Sequence, residues 1–383
     1  MEFLYRLRNL ILSSIYIGFL KPLFFLMDPE TVHERMIIYG SWLGDCSIGR
    51  GLVHFAYYYA HPTLEQTIKG IFFPNPIGLA AGYDKNGRLT QIIPEVGFGF
   101  SEIGSVTGQS CVGNPGQHLW RLKKSKSIVV NYGLKNVGAE VISSILSELS
   151  FKIPIGISLA KTNIALTSEE SFGIADYVQA YTFFAKKNVG DYFTINISCP
   201  NAYGGQPFLE SSALSRLLEA LSSVRLKYQD NKPWFLKLAA DLYPTTIDSL
   251  IEVARVYHIT GFICSNLSKN RHNKKIIDEN IPANGSLSGA VVKELSNNLI
   301  RYIYKKTGRE FIIIGCGGIF SAEDAYEKIK AGASLLQLIT GMVFKGPQLI
   351  SEINQGLVTL LKKDGYTSLD QAIGADYRDN SLT

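Results

Sequence analysis

The sequence predicts a parallel (β/α)8 barrel, the TIM-barrel architecture, preceded by a small N-terminal helical, membrane-associating extension. Two observations predict it. From residue 76 onward, eight short apolar runs are mostly separated by longer stretches of helical periodicity, the pattern of repeated β-α units that close into one barrel. Before residue 63 that alternation is absent, and aromatic and aliphatic residues gather beside basic ones. The expected division is an extension over residues 1–62 and a barrel over residues 63–383.

The extension opens with "MEFLYRLRNLILSSIYIGFLKPLFFLM". Its uncharged run from Asn9 to Leu20 falls short of the about 20 apolar residues that cross a bilayer. Lys21-Pro22 is expected to break the helix before "LFFLM". No small-x-small cleavage site follows, which argues against a secretory signal. Arg6, Arg8 and Lys21 outnumber Glu2, and basic residues among aromatics suit a helix lying in a membrane interface. A true span and ordinary core helices are the alternatives. Asp28-Pro29-Glu30 then reads as a helix start, with a capping carboxylate, a proline in the first turn and an acid at the positive end of the dipole. That helix is expected to reach about Leu43, and His61-Pro62 to mark the boundary.

The eight runs are "PIGLAAG" (76–82), "FSEIGSV" (100–106), "IPIGISL" (153–159), "DYFTINI" (191–197), "WFLKLAA" (234–240), "GFICSN" (261–266), "FIIIGC" (311–316) and "SLLQLIT" (334–340). Helical segments such as "SAEDAYEKIKAG" (321–332) begin on a Ser cap and end on Gly. The longer connection from 107 to 152 contains "GQHLWRLKKSKSIVVNYG", which is expected to add a small hairpin.

Composition narrows the function. Of 383 residues, 38 are basic and 33 acidic, and no basic block stands out, so nucleic-acid binding has no support. An anionic small molecule or an anionic membrane surface fits the small excess. The five cysteines form no C-x-x-C pair, which speaks against a structural zinc or an iron–sulfur cluster, so no metal is expected. An odd, scattered set points to a reducing compartment rather than a disulfide framework.

In a barrel of this kind the C-terminal strand ends carry the chemistry. Here they read "AAGYDKNG", "SVTG", "LAKTN", "NISCPN", "KLAAD", "SNLSKN", "GCGGI" and "ITG". Turn-forming needs explain part of this polarity. They do not explain Lys237 inside an apolar strand, where a lysine is costly unless an anion meets it. Nor do they explain Asn196 and Asn201 flanking Cys199, a thiol whose type alone fits a buried filler, a reactive group or a ligand. Glycines at 317, 318 and 341, in the loops after the last two strands, suit backbone N–H groups that approach a phosphate.

These stretches, together with "FPNPIGLAAGYDKNGR", "GFGFSEIGSVTG", "SGAVVKELS" and "IIIGCGGIFSAEDAYEKIKAGASLLQLITGMVFKGP", resemble the dihydroorotate dehydrogenase family over nearly the whole chain. "KPLFFLMDPETVHERM" resembles the extension of its quinone-dependent class. The resemblance implies FMN held by Ala81, Gly82, Lys85, Ser105, Ser158, Asn196, Lys237, Ser265, Gly289, Gly318, Ile339 and Thr340. It implies dihydroorotate held by Lys85, by the loop Asn131, Tyr132, Gly133 and Leu134, and by Asn196, Asn201 and Asn266. Cys199 then stands at the base position, taking a proton from substrate carbon 5 while hydride goes from carbon 6 to the flavin. The implied partners are dihydroorotate and orotate, a membrane quinone and a membrane surface. The implied location is peripheral, on an inner or cytoplasmic membrane facing a reducing compartment. The chain departs from the family pattern in several places. Cys199 stands where the quinone class has Ser, Ser105 replaces Thr, Ser158 replaces Asn, Leu267 replaces Thr, and the Asn131 loop is one residue shorter. An FMN enzyme acting on another pyrimidine or cyclic amide, and a flavin-binding protein without turnover, are the rival readings.

Overall fold

In a computed structural model of the chain, residues 2–378 are described. Eight strands close into a barrel, here β1 (Ile77–Leu79), β2 (Phe100–Val106), β3 (Ile155–Leu159), β4 (Tyr192–Ile195), β5 (Trp234–Leu238), β6 (Gly261–Cys264), β7 (Ile312–Cys316) and β8 (Leu335–Leu338). Each pairs in parallel with the next, and β8 pairs with β1. All eight sequence runs fall on these strands.

Strand alternation builds the barrel interior in layers. Phe100, Tyr192, Phe235 and Leu335 fill the floor with Phe73 from the hairpin Gln66–Ile68 and Ile71–Phe73 that closes the bottom. Phe73 meets Phe100 edge-on at 5.4 Å, and Tyr192 meets Phe235 edge-on at 5.4 Å, each pair adding about 0.5–1.5 kcal/mol beyond its burial. Gly78 and Gly156 make room for two of these rings: a Cβ would lie 2.3 Å from Phe100 and 2.1 Å from Tyr192. Two residues further along the same four strands the layer turns polar, with Glu102, Thr194, Lys237 and Gln337. Outside the barrel, helices seal the strands with apolar stripes. Leu214, Leu217, Leu218 and Leu221 on the helix Ser211–Tyr228 are buried at helical spacing.

The expected hairpin is present, Leu119–Leu122 against Ser127–Val130. A third strand that the sequence reading did not include, Ser286–Gly289, joins it after β6 and completes a small sheet.

The extension corrects two expectations. Helix runs without interruption through Glu2–Ile15, a five-residue π-turn Tyr16–Leu20, and Lys21–Leu26. Proline clashes with a carbonyl one turn back in a regular helix, and the π-turn just before Lys21-Pro22 widens the coil there. The resulting helix Glu2–Leu26 has 25 residues and a mean hydropathy of 1.6, so by length and composition it could cross a bilayer. Its polar contacts run along the barrel instead. Gln355 Nε2 donates to Glu2 (2.9 Å), Arg8 to Ser351 Oγ (2.8 Å), Asn9 to the same hydroxyl (3.1 Å), and Tyr16 OH to the Val343 carbonyl (2.8 Å). Asp28 caps the next helix, Pro29–Asp45, by accepting from the Thr31 N–H at 2.8 Å. A further helix, Ser47–Tyr57, leads to His61-Pro62.

Candidate active site

A cavity of about 310 Å³ opens at the C-terminal ends of the strands. One end holds Lys237, Asn196, Cys199, Asn201 and Asn266; the other is walled by Tyr16, Phe24, Phe25, Val32 and Met36 of the extension. A smaller cavity of about 70 Å³ lies behind it, between Ser265, Gly317, Gly318 and Gly341. Lys237, Ile339 and Thr340 line both.

The side-chain amides are held by a connected network. Asn196 donates to Ser105 Oγ (2.8 Å), which shares a hydrogen bond with Ser158 Oγ (2.8 Å). Asn266 Nδ2 donates to Asn196 Oδ1 (3.1 Å) and to the Ser198 carbonyl (3.0 Å), while Ser198 Oγ donates to the Lys237 carbonyl (2.5 Å). Asn201 bridges to the small sheet: it donates to the Val130 carbonyl (2.7 Å) and accepts from Ser286 (2.8 Å). Buried polar groups need such partners. Here the partners also fix the amides in orientation around the cavity.

Lys85 stands over the face of Tyr132, 3.3 Å from its centroid, with its Nζ 3.3 Å from His33 Nε2. Burial pushes this lysine down to about 7, and Lys135 adds to the effect. His33 is pushed down to about 3 by burial and then by Lys85, so it is neutral at pH 7. A carboxylate entering beside Lys85 would meet an ammonium with no carboxylate in ion-pair contact among the described residues, which favours its capture.

Cys199 is partly exposed to the cavity and is a free thiol. Burial pushes its thiol above the ordinary range. The Asn201 N–H and then Lys161, Lys237 and Lys269 pull the other way without overcoming it. Lys161 is itself buried and donates to the Tyr203 carbonyl at 2.6 Å.

Most of the residues expected from sequence gather here. Ala81, Gly82, Lys85, Ser105, Asn196, Lys237, Ile339, Thr340, Tyr132, Gly133, Leu134, Cys199, Asn201 and Asn266 line the large cavity, and Ser265 and Gly318 the small one. Three stand back from both. Ser158 sits behind Ser105, Gly289 packs against Lys126 and Thr340, and Asn131 accepts from Asn114 at 2.9 Å. Sequence reasoning missed three others. His33 could have been found from the Asp28 cap, which sets the helix so that Pro29, Val32, His33 and Met36, at helical spacing, face the cavity. Lys161 lay in the quoted "LAKTN" but was not assigned. Glu102, fully buried in the barrel, accepts from Thr194 (2.9 Å) and Gln337 (2.8 Å); alternation from Phe100 was the signal.

Together the two adjoining cavities offer room for a planar group with a phosphate at one end. At Gly82 an added Cβ would meet nothing nearer than Ile339 Cδ1 at 4.0 Å, so open space lies over the backbone. The glycine-lined smaller cavity is sized for a phosphate, with Lys237 at the junction.

A family model described as dihydroorotate dehydrogenase matches residues 63–361. A dihydroorotate dehydrogenase (quinone) of Acaryochloris marina is 36% identical over 380 residues, covering 94% of this chain and 99% of its own. One from Trichormus variabilis is 36% identical over 382 residues, covering 95% and 100%. Among solved structures, DHODH from Eimeria tenella in complex with ferulenol superposes with a TM-score of 0.82 at 26% identity, covering 92% of this chain and 96% of that one. On the family match and these relatives, the chain belongs to the dihydroorotate dehydrogenase family.

Proposed function

We propose that this chain oxidises dihydroorotate to orotate in pyrimidine biosynthesis, using bound FMN and passing the electrons to a membrane quinone. One observation carries the reading: a single cavity joins Cys199, Lys85 and the fixed asparagines to the apolar wall of the N-terminal extension. Substrate and an apolar acceptor can then use two ends of one space.

Ala81, Gly82, Ser105, Asn196 and Lys237 would hold the flavin ring, and Ser265, Gly318 and Thr340 its phosphate end. When bound, FMN supplies a two-electron acceptor. Lys85 binds the substrate carboxylate. Asn196, Asn201 and Asn266 offer amide donors and acceptors to the ring edges of the pyrimidine. Cys199, as thiolate, takes the proton from carbon 5 as hydride leaves carbon 6. Lys161 and Lys269 favour the thiolate, and the burial that opposes them makes the step faster at higher pH.

We read the extension as a peripheral membrane anchor. Phe3, Leu7, Leu10, Phe19, Leu26 and Trp42 leave a broad apolar face exposed, which is uncommon on a soluble surface. Beside it Lys21, Arg121, Lys123, Lys126 and Lys345 gather without a carboxylate within ion-pair distance among the described residues. Such a cluster complements anionic headgroups. Lys21 lies over both Phe25 and Phe344, 5.4 Å from each centroid, and Phe25 lines the apolar end of the cavity.

The test is anaerobic. The purified yellow protein should release FMN on denaturation, bleach on adding dihydroorotate and recolour on adding a soluble quinone analogue. Flavin that stays oxidised in the presence of dihydroorotate, or release of FAD, contradicts the reading.

A further inference from the structure

Glu102 carries chemistry that the reading above does not use. It points into the barrel from β2 with a fully buried side chain. Three donors converge on one carboxylate oxygen, Oε2: Gln337 Nε2 at 2.8 Å, Thr194 Oγ1 at 2.9 Å and Tyr192 OH at 3.3 Å. The other oxygen, Oε1, has no hydrogen-bond partner and lies 3.8 Å from Lys237 Nζ. Tyr192 of the floor and the polar layer above it therefore hold the carboxylate by one oxygen, and the free one faces the lysine.

A filler role does not account for this arrangement. A buried ion pair is weak support for stability, because desolvation offsets its attraction. This pair also lacks a direct hydrogen bond, and Gln337 Oε1 beside it is without a partner. Lys237, in contrast, lines both cavities, so a flavin reaching from the wide cavity to the phosphate pocket passes over it. Positive charge there stabilises negative charge gained by the ring. A carboxylate directly beneath offsets that positive charge.

Resting on the flavin reading above, we propose that Glu102 is a positioning residue and counter-charge for Lys237. It steadies the ammonium beneath the flavin and limits how strongly the site favours the reduced, negatively charged ring, so that electrons can leave for a quinone. The ring is not touched by Glu102; the effect passes through Lys237.

Sulfite reports this charge without turnover, because its addition to a flavin puts negative charge on the ring. Full-length, FMN-loaded wild type, Glu102→Gln, Lys237→Met and the double variant are titrated with sulfite, following the loss of flavin absorbance. Glu102→Gln keeps the size and removes the charge. We expect its sulfite Kd to tighten about tenfold, with the flavin potential rising by about 30 mV for the two-electron couple. The double variant should match Lys237→Met. An unchanged or weaker sulfite Kd in Glu102→Gln overturns the proposal, as does the same tightening in the Lys237→Met background. If Glu102→Gln cannot be obtained folded with FMN, Glu102→Asp decides: it keeps the charge, so sulfite binding within about threefold of wild type supports the role, and a shift of about tenfold or more overturns it. A wild-type chain that takes up no FMN overturns the flavin reading along with this one. A wild type that dihydroorotate reduces, beside a Glu102→Gln variant with unchanged sulfite affinity, overturns this one alone.

Discussion

On the helix Ser211–Tyr228, Leu214, Leu217 and Leu221 are sealed against the barrel. On the helix Glu2–Leu26, Leu10 is 64% exposed and Phe19 68% exposed. Both helices carry apolar residues at helical spacing, yet one stripe faces protein and the other faces outward. The difference lies in the polar residues. Along the first helix they look to solvent. Along the second, Glu2, Arg8, Asn9 and Tyr16 are used up on the barrel side. An extension with polar groups turned inward and apolar groups outward is compatible with a surface other than water. The barrel can then be read as the place where substrate is oxidised, and the extension as the place where electrons leave. The predictions test that division.

The largest effect should come from the barrel. Cys199→Ala should keep FMN and lose about 10²–10⁴-fold in the rate of flavin reduction by dihydroorotate, measured by stopped flow, while vesicle binding is unchanged. Cys199→Ser should retain part of the rate and need higher pH. In wild type the thiol is raised above its ordinary value by burial, so the reduction rate should still be climbing with pH above the usual thiol range. A pH-independent rate would remove Cys199 from the proton transfer.

The extension should give the next largest. Each lysine beside an anionic surface contributes about 1 kcal/mol. Replacing Lys21, Lys123 and Lys126 together by Ala should then weaken partition into vesicles containing anionic lipid by about 100-fold. Sedimentation with neutral vesicles should change little. Equal losses on both would mean that charge is not what these residues supply.

A smaller effect concerns Lys85. Its ammonium is lowered to about 7 in the free site, and the substrate carboxylate prefers the charged form. Binding raises that value, so affinity is greatest below about 7 and falls, by up to roughly tenfold per pH unit, as pH rises through it, until the value of the complex is reached. The KM for dihydroorotate should rise over the range in which the Cys199-dependent rate is also rising. A flat KM would show that Lys85 stays charged without substrate. The smallest effect is expected at Leu267, which lines both cavities. Leu267→Thr restores one hydrogen-bonding group, worth about 0.5–1.5 kcal/mol, and should lower the KM without changing the rate of quinone reduction.

Much of this was legible in the sequence, for identifiable reasons. Strand runs were readable because buried parallel strands are short, apolar and bounded by turns. The Asp28 cap and the glycines near the phosphate pocket were readable because their roles are local. What could not be read depends on contacts between distant segments. The resemblance assigns Asn131 to the substrate loop, and the sequence does not announce that its side chain accepts from Asn114. Ser158 stands behind Ser105 because it pairs with Gly104, and the ladder is irregular at Ser105, the next residue of β2. The helix through Lys21-Pro22 was missed because a π-turn relieves the proline, and residue preference does not announce such a turn. His33 reaches Lys85 only because the extension folds back over the barrel mouth.

The division between barrel and extension is tested most directly by plugging the apolar end of the cavity. Val32 lines that end from the helix Pro29–Asp45. In full-length, FMN-loaded Val32→Trp, the two half-reactions are timed separately under anaerobic stopped flow: flavin reduction by dihydroorotate, and reoxidation by a long-chain quinone analogue. The account predicts reduction close to wild type and reoxidation slowed about tenfold or more, a barrier increase of about 1.4 kcal/mol. Reoxidation at the wild-type rate, or a loss confined to the reduction step, would contradict it.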